Sequence, residues 1–509
     1  MGATRSGRHT ILETSNVWPY QWPKTIDYPQ HPVFSFLDHT AERVPNRLAI
    51  IFEGTELTFC ELKNLADCFA NALASLGLKK GERVAIHLPN CPQFAIAYYG
   101  ILKTGAVFTP ISPLLSASEI QHQLDDSEAT FLISSDVLYP NIASVIRKTK
   151  VNKVITTSIS DCHSPIIQPL KTSNKIHIPD TLDMADLLKK HRPEVPYVDL
   201  DVFNDLAHIA YTGGTTGRSK GVMLTHYNVV VNTIQTANWW FGAQLEIDRG
   251  IPRLVFPSGI DPNRDRVTAM DREAVLVVVP WFHAMGTIAY LNEKVFSGHT
   301  MAVYQRFNPK EFLDAILKYK VTVIGGAPQL YFALLNHPEF RQYDLSEVRL
   351  IDSGAAPLSV NLLDKMLTVF NGVICEGYGL TECTMMATAN PPDRSKIRQG
   401  SVGIPVFDTE CKIVDLQTGE KLPPEKEGEI CIKGPQVMQG YWKKPSDTAK
   451  VLKDDWLFTG DIGKYDKDGY LYITDRKKDV ILYNGYNVYP RELEEIILLC
   501  FQSYLLFLV

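Results

Sequence analysis

Residues 206–234 have the sequence LAHIAYTGGTTGRSKGVMLTHYNVVVNTI, which predicts a strand, a glycine-rich loop and a helix in succession. LAHIAY is an apolar run of strand length, and Thr225 is a suitable N-cap for the helix. The loop between them exposes backbone N–H groups beside threonine hydroxyls and a lysine, a combination typical of an anion-binding nest. It is not a Walker A loop, because Lys220 follows Gly217 by three residues and precedes another glycine. A flexible surface loop is the alternative interpretation.

Length, composition and charge limit the possible classes of protein. The chain has 509 residues, of which 45% are hydrophobic and 21% charged, values typical of a globular protein of more than one domain. A net charge of -6 and a pI near 6.1 argue against nucleic acid as the main partner. The nine cysteines are scattered with no C-x-x-C pair, which predicts reduced core thiols. No apolar stretch of signal-peptide length begins the chain, so we expect a soluble, cytoplasmic protein.

Strand-like and helix-like segments alternate through the first four hundred residues. RVAIHLP (83–89) is followed by a helical stretch at 91–105 and a second strand at 106–112. A capping box of Ser116 and Glu119 then opens another helix, and a strand follows it. This alternation predicts parallel sheets covered by helices, and similar strand patterns recur near residues 321 and 348.

The pattern changes after about residue 400, where short strands alternate with Gly, Pro and Asp turns. This texture predicts an antiparallel, partly closed β unit. Two charged segments, 156–200 and 246–273, are predicted to be solvated connections.

Two further motifs carry residue types that suit a nucleotide. GYGLTE (377–382) brings together an aromatic ring that can cover a purine, a hydroxyl for a phosphate, and a carboxylate for Mg²⁺. In WLFTGD (456–461), Asp461 follows a predicted turn and can accept hydrogen bonds from a ribose diol.

These motifs, in their order and spacing, resemble those of the adenylate-forming (AMP-binding) superfamily. The match comprises YTGGTTGRSKG, VPWFHAMG, GYGLTE, WLFTGD and DRKKDVILYNGYNVYPRELE, over roughly residues 35–496. Within that superfamily, the stretch LNHPEFRQYDLSEVRLIDSGAAPLS is most similar to medium- or long-chain fatty acid–CoA ligases. The resemblance implies an α/β fold: a large body of two doubly wound sheet subdomains plus a distorted antiparallel β-barrel, and then a small C-terminal α+β domain. The corresponding boundaries are an N-terminal extension (1–34), an AMP-binding domain (35–476), and a hinge with a domain stub (477–509).

The implied reaction has two steps and needs ATP, CoA and Mg²⁺. A fatty acid carboxylate first attacks the α-phosphate of ATP, giving an acyl-adenylate and pyrophosphate. The CoA thiol then attacks the activated carbonyl to give the thioester. Preorganised donors and a metal can supply most of the catalysis, because negative charge develops on phosphate oxygens.

The resemblance also assigns roles to individual residues of this sequence. It implies that the β- and γ-phosphates are bound by residues of the glycine-rich loop: Thr212, Gly213, Gly214, Thr215, Thr216, Gly217 and Lys220. It implies that Thr381 contacts the α-phosphate, that Glu382 binds Mg²⁺ and that His283 lies at the entrance of the acyl pocket. Adenine would be bound by Gly354, Ala355, Ala356 and Tyr378, and ribose by Asp461 and Arg476. Lys220, His283, Thr381 and Glu382 form the expected catalytic set.

Each assignment has an ordinary structural alternative. His283 and Tyr378 are also compatible with core positions, and Asp461 with Arg476 is compatible with a surface ion pair of little energetic value. The order of the five motifs favours the functional interpretation. Gly325 and Tyr331, in an apolar stretch, are further candidates for the acyl tunnel.

The sequence departs from the family pattern at three places. Gly213 stands where many members have Ser, and Ser219 where many have Pro. The third departure concerns the end of the chain: after the hinge, where Lys478 is expected, no P-x-x-x-x-G-K stretch supplies the late catalytic lysine. The final LLCFQSYLLFLV is nearly all apolar and shorter than the ~20 residues of a membrane-spanning helix. We therefore expect a truncation or frameshift product, with weakened activity, rather than a membrane anchor.

These observations leave several functions open. The first is a fatty acid–CoA ligase; the others are a non-catalytic nucleotide- or acyl-binding remnant, a ligase that loads an acyl carrier protein, and a ligase for aryl acids. The apolar end of the chain predicts a peripheral contact with the inner face of a membrane. Chain length of the acid and oligomeric state stay undetermined at this stage.

Overall fold

Two large β-sheets with a helical layer between them form the body of the computed structural model. It describes residues 17–19, 22–159, 175–212, 218–248, 250–262, 265 and 267–477, together with the backbone of two strands at 481–483 and 486–488. The predicted α/β class is confirmed.

Sheet 1 has nine strands in the order β18-β17-β16-β15-β14-β12-β13-β1-β2. With strands numbered in chain order, its members are β1 (Leu48–Phe52), β2 (Thr55–Thr58), β12 (Ala274–Val277), β13 (Thr300–Val303), β14 (Val323–Gly326), β15 (Leu350–Ser353), β16 (Val373–Tyr378), β17 (Thr388–Ala389) and β18 (Ile404–Pro405). The strands from β16 to β1 are parallel, and β2, β17 and β18 are antiparallel to their neighbours. The predicted strands near residues 321 and 348 are β14 and β15.

Sheet 2 has eight strands in the order β21-β9-β8-β4-β3-β5-β6-β7. Its members are β3 (Arg83–His87), β4 (Val107–Pro110), β5 (Phe131–Ser135), β6 (Lys153–Thr157), β7 (Leu182–Asp183), β8 (Leu206–Tyr211), β9 (Gly221–Thr225) and β21 (Gly440–Tyr441). β8 and β9 are antiparallel and are joined by the glycine-rich loop. The residues after that loop therefore continue the sheet for five residues before the predicted helix begins.

Sheet 3 is antiparallel, as the sequence after residue 400 predicts. Its members are β19 (Glu410–Val414), β20 (Gly428–Lys433), β22 (Leu452–Lys453), β23 (Trp456–Tyr465) and β24 (Leu471–Arg476). The ladder runs β19-β20-β23, and both β22 and β24 pair with β23. Among the strands that the structure describes, these pairings give an open sheet and not the expected barrel. Alternation and turn residues identify antiparallel strands, but closure depends on the register of distant partners, which local patterns do not encode.

Two short hairpins complete the strands: β10 (Gln244–Asp248) with β11 (Ile251–Val255), and β25 (Ile481–Tyr483) with β26 (Tyr486–Val488). The first hairpin corrects the prediction that 246–273 is only a connection. β11 alternates buried and exposed residues, so the charged Arg253 lies on the exposed face of a strand rather than in a loop. The predicted connection 156–200 likewise contains β7 and a helix.

Helices cover and separate the sheets. They are α1 (Ser35–Arg43), α2 (Phe59–Ser75), α3 (Pro92–Lys103), α4 (Ala117–Ser127), α5 (Ala143–Ile146), α6 (Met184–Lys190), α7 (His226–Phe241), α8 (Ala284–Thr287), α9 (Glu293–Phe296), α10 (Pro309–Lys318), α11 (Pro328–Leu335), α12 (Val360–Val369) and α13 (Pro445–Val451), with a π-helical segment (Ile288–Asn292) between α8 and α9. The predicted capping box of Ser116 with Glu119 is confirmed, and Thr225 caps α7 in the same way with Asn228.

The central helices join the sheets into one core. α2 contacts β1 and β2 of sheet 1, whereas α3 contacts β3 and β4 of sheet 2 and packs on α2. α7 contacts β8 and β9, and its Trp239 and Asn232 side chains donate hydrogen bonds to backbone carbonyls beyond β16 of sheet 1. A helix that is buried on all sides in this way packs against both sheets and fixes their relative position.

None of the helices in the described part of the chain combines the length and the hydropathy that a membrane span requires.

Candidate functional site

The loops that follow the parallel strands of sheet 1 meet at one edge of the sheet. The chain order reverses between β12 and β14, since β13 lies on one side of this pair and β15 on the other. In open α/β sheets, such a switch point leaves a crevice at the carboxyl ends of the strands, where ligands bind. His283 follows β12, and Gly354 follows β15. The fold therefore places both predicted segments beside this crevice.

The Gly354–Ala356 turn lies against the segment that carries His283. A Cβ atom at Gly354 would lie 3.1 Å from Cε of Met285, two residues beyond the histidine. Ala355 has a φ of +65°, a left-handed conformation that side chains other than glycine rarely adopt. The turn is held on both sides: the N–H of Gly354 donates to the carbonyl of Gly326, and the N–H of Leu358 donates to the carboxylate of Glu376. A strained turn that its neighbours hold in place is a common feature of binding sites.

The His283 side chain combines exposure with partial desolvation. It keeps an edge accessible to solvent, yet the surrounding protein lowers the pKa of the imidazole below its ordinary value. This combination is typical of a residue in the wall of a cleft. The alternative of a fully buried core histidine is therefore wrong for His283.

Tyr378, Asp461 and Arg476 form one contiguous group. The Tyr378 hydroxyl donates to Oδ2 of Asp461 over 2.6 Å, and Nε of Arg476 lies 3.5 Å from Oδ1 of the same carboxylate. Burial, and then the charge of Asp461, raise the pKa of Tyr378 well above its ordinary value, so the phenol stays protonated and donates. Asp461 lies inside β23, opposite Arg476 on β24, and not after a turn as predicted. The structure thus joins the carboxyl end of β16 in sheet 1 to the centre of sheet 3.

The side chains of Glu382 and Lys220 contact the same tyrosine, Tyr441. Oε1 of Glu382 accepts a hydrogen bond of 2.7 Å from the Tyr441 hydroxyl, and Nζ of Lys220 lies 4.9 Å from the centroid of the Tyr441 ring. Desolvation raises the pKa of Glu382; the neighbouring Asp461 raises it further, and Lys220 opposes the rise. Glu382 follows β16 of sheet 1, Tyr441 is on β21, and Lys220 precedes β9. Sheets 1 and 2 therefore meet at this point, and the Asp461 carboxylate of sheet 3 lies close enough to act on Glu382.

The two ends of the glycine-rich loop are held together as a hairpin. The N–H of Thr212 donates to the carbonyl of Lys220 over 3.0 Å, and the N–H of Lys220 lies 3.3 Å from Oγ1 of Thr212. The five residues between them that were predicted to bind phosphate, Gly213, Gly214, Thr215, Thr216 and Gly217, lie outside the described residues, as does Lys478. The described end of the loop, Lys220, nevertheless lies beside Tyr441.

Sequence patterns did not identify Tyr441 as part of this group. It stands between Gly440 and Trp442, in a stretch whose alternation is too short to predict a strand. Only the pairing of β21 with β9, from Gly440–Met223 to Tyr441–Val222, brings it to the loop. A contact between residues more than two hundred positions apart leaves no local signal.

Glu382 is a desolvated carboxylate at the meeting point of these segments. In the part of the chain that the structure describes, no three His, Cys, Asp or Glu side chains form a cluster that could enclose a metal ion. Mg²⁺ usually binds one or two carboxylates together with substrate phosphates and water, not a closed protein cage. Glu382, with its raised pKa, fits this type of donor set.

Comparison with known proteins agrees with this geometry. A sequence profile of AMP-binding enzymes matches residues 37–442. The chain belongs to the AMP-binding enzyme family. Among relatives, this AMP-binding enzyme is similar to the long-chain-fatty-acid–CoA ligase of Bacillus subtilis (strain 168), with 38% identity over 500 residues that cover 95% of this chain and 84% of that protein.

Solved structures show the same similarity. ATP-bound MatB from Rhodopseudomonas palustris matches with a TM-score of 0.76 and 28% identity, over 91% of this chain and 82% of that one. A long-chain-fatty-acid–CoA ligase from Archaeoglobus fulgidus matches with a TM-score of 0.74 and 26% identity, over 89% of this chain and 86% of that one. The fold of this AMP-binding enzyme is therefore that of acyl-CoA ligases.

Proposed function

We propose that this AMP-binding enzyme is an ATP-dependent fatty acid–CoA ligase. In the first step a carboxylate oxygen of the fatty acid attacks the α-phosphorus of ATP, and pyrophosphate leaves. In the second step the CoA sulfur attacks the acyl carbonyl carbon, AMP leaves, and the thiol proton passes to solvent. The observation that carries the proposal is the convergence of Tyr378–Asp461 and Glu382–Tyr441–Lys220 beside the switch point of sheet 1.

The nucleoside would be bound by the group around Asp461. Its carboxylate and Arg476 lie together on adjacent strands, so the ribose diol can donate to Asp461 while Arg476 balances its charge. The aromatic ring of Tyr378 and the turn Gly354–Ala356 supply the two sides of an adenine slot. The strained backbone of that turn places main-chain atoms, rather than long side chains, next to the base.

The triphosphate would extend from this slot toward Lys220. The hairpin that ends at Thr212 and Lys220 supplies backbone N–H groups and an ammonium, and Thr381 precedes Glu382 at the α-phosphate. Main-chain donors suit a polyphosphate because glycine lets the backbone approach closely. Residues Gly213–Gly217 have the composition for this role, and their part in it is a prediction.

Mg²⁺ bound to ATP would be held by Glu382, where it neutralises charge on phosphate oxygens. Tyr441 would orient the Glu382 side chain for this role. Tyr441 donates to one carboxylate oxygen, which leaves the second available. Desolvation of Glu382 favours a neutralising cation at this position.

The acid is proposed to be a fatty acid because relatives of 34% and 38% identity are long-chain-fatty-acid–CoA ligases. His283, at the cleft wall after β12, would lie where the carboxylate of the acid meets the α-phosphate. Lys478, at the predicted hinge, would let the segment after sheet 3 move between the two steps.

The experiment is fatty-acid-dependent exchange of labelled pyrophosphate into ATP, followed by CoA-dependent thioester formation. Exchange in the purified full chain is expected, and Glu382→Gln should lower its rate about a hundredfold. Glu246→Gln, on the exposed face of β10, is the matched control and should keep the wild-type rate. If the wild-type chain binds MgATP but shows no exchange with any acid, it is a non-catalytic binding protein and the ligase proposal is wrong.

The same assay separates the remaining alternatives. A series of saturated fatty acids is compared with benzoate and cinnamate derivatives, and CoA with a holo-acyl carrier protein as the acceptor. Faster exchange with the aromatic acids identifies an aryl-acid ligase. Acyl transfer to the carrier protein alone would assign a different acceptor.

We further propose that the enzyme is cytoplasmic and contacts the inner face of a membrane peripherally. The apolar composition of LLCFQSYLLFLV supports this location. Co-sedimentation of the protein with vesicles of anionic phospholipid should exceed that with buffer alone. Equal sedimentation in both would refute the membrane contact.

A further inference from the structure

Lys220 is engaged by a carboxylate that the family motifs do not include. Its Nζ lies 3.1 Å from Oδ2 of Asp447, in the first turn of α13. Asp447 also accepts a hydrogen bond of 2.8 Å from Nζ of Lys450. The ammonium proposed to bind the polyphosphate is therefore shared with an acid from a different part of the chain.

The position of Asp447 is set by the same strand that carries Tyr441. β21 pairs with β9, directly after Lys220, and the N–H of Trp442 donates to the carbonyl of Gly221 over 2.8 Å. The indole N–H of Trp442 donates to the carbonyl of Asp126, and Nζ of Lys444 lies 2.9 Å from the Asp126 carboxylate. These contacts attach the segment to β9 and to α4, so α13 starts at a fixed distance from Lys220.

The pair is suited to exchange rather than to permanent structure. The side chains of Lys220 and Asp447 are 37% and 26% exposed, and ion pairs of this exposure are weak. A polyphosphate presents several negative charges to the same ammonium and also approaches the backbone N–H groups of the loop. Asp447 can therefore hold Lys220 near the loop without competing strongly against a triphosphate. Its attraction for Lys220 is still strong enough to favour the release of a smaller anion such as pyrophosphate.

We propose that Asp447 is a positioning residue that competes with the polyphosphate for Lys220. It takes up the Lys220 ammonium as pyrophosphate leaves, and so speeds release of this product. Lys450 tunes the competition, because it binds the same carboxylate and weakens the hold of Asp447 on Lys220. This inference rests on the proposed role of Lys220 in binding phosphate.

The experiment measures binding of inorganic pyrophosphate to the full chain by calorimetry in the presence of Mg²⁺. Asp447→Asn should lower the dissociation constant about twofold to fivefold, the range of a weak ion pair. Lys450→Met should raise it by a similar factor, and Asp447→Glu should restore the wild-type value. In turnover, Asp447→Asn should lower KM for ATP and strengthen inhibition by pyrophosphate, with KM for the fatty acid unchanged.

A double-mutant cycle separates competition through Lys220 from a general change of charge. In a Lys220→Met background, Asp447→Asn should leave the dissociation constant of pyrophosphate unchanged. Asp454→Asn, which removes an equal charge from the turn between β22 and β23, is the control and should have no effect.

The outcomes distinguish this inference from the proposed function. If Asp447→Asn tightens binding equally in both backgrounds, or weakens it, the competition is refuted while the ligase proposal stands. If the wild-type chain binds neither pyrophosphate nor MgATP, the proposed function itself fails.

Discussion

Replacement of Gly325 by alanine should destabilise the protein far more than the same change at the adjacent glycine. Gly325 is in β14, directly below the switch point, and its missing side chain leaves room for a buried polar pair. The Tyr290 hydroxyl donates to Oδ1 of Asp352 across this space. A Cβ atom at Gly325 would overlap both the hydroxyl and the carboxylate. The hypothesis that this glycine lines an acyl tunnel is therefore not needed to explain its presence.

The magnitude follows from what the methyl group would displace. Tyr290 is fully buried and Asp352 is 4% exposed, so neither can exchange its lost partner for water. Loss of a hydrogen bond to a buried carboxylate costs about 1.5–3 kcal/mol, and forcing a methyl group into a packed core costs about 1–3 kcal/mol. Alanine regains less than about 1 kcal/mol through its lower backbone entropy in the unfolded chain. We expect the free energy of unfolding to fall by about 2–5 kcal/mol.

Gly326→Ala is the matched control in the next residue of the same strand. There a Cβ atom would lie 3.0 Å from Cδ1 of Leu330, the end of a flexible side chain that can turn away. The expected cost is below about 1 kcal/mol. Both variants are compared with the wild type by urea denaturation, followed by tryptophan fluorescence. If the two variants differ by less than about 1 kcal/mol, the Tyr290 hydroxyl does not occupy the space next to Gly325, and the reasoning is wrong.

Two further predictions concern the pH dependence of stability and the nucleotide site. Burial raises the pKa of Asp352 to about 6 from an ordinary 3.8, so the folded state binds a proton more tightly than the unfolded state. The stability that this group adds is fully present well below pH 3.8 and is lost as the pH rises through 6. Between pH 4 and 7 the wild type should therefore lose about 2 kcal/mol more than Asp352→Asn. Equal losses would contradict the assignment. Tyr378→Phe removes the hydrogen-bond donor to Asp461 and should raise KM for ATP about tenfold, with KM for the acid unchanged. The control Tyr472→Phe, which removes a 3.4 Å contact with Asp466 at the surface of sheet 3, should change neither constant. A parallel rise in both constants would show general damage instead.

The strands and helices that local patterns predict are those with strong periodicity and recognisable ends. RVAIHLP became β3, the helical stretch after it became α3, and the Ser116 capping box opens α4 as expected. These predictions succeed because hydrophobic alternation and cap chemistry act over a few residues. The stretch 246–273 was wrongly predicted to be only a connection, because an exposed hairpin such as β10 and β11 also carries charged residues.

Some residues of the candidate site could be predicted from sequence motifs, and others could not. The motifs located Tyr378, Glu382, Asp461 and Lys220 in advance. They did not identify Tyr441 or Asp447, which reach the site only through the pairing of β21 with β9. Nor did they predict that β23 carries Asp461 opposite Arg476 in an open sheet.

Short segments of this sequence therefore predict many of the strands and helices and nominate the motif residues as candidates for nucleotide binding, because propensity, capping and glycine conformations are local properties. Which of those candidates touch, and which other residues join them, depends on the packing of distant segments. Glu382, Tyr441 and Lys220 come from three separate parts of the chain, and only the pairing of β21 with β9 and the packing of sheet 1 against sheet 2 bring them together. Such contacts depend on strand register and helix packing over hundreds of residues, which no short stretch of sequence encodes.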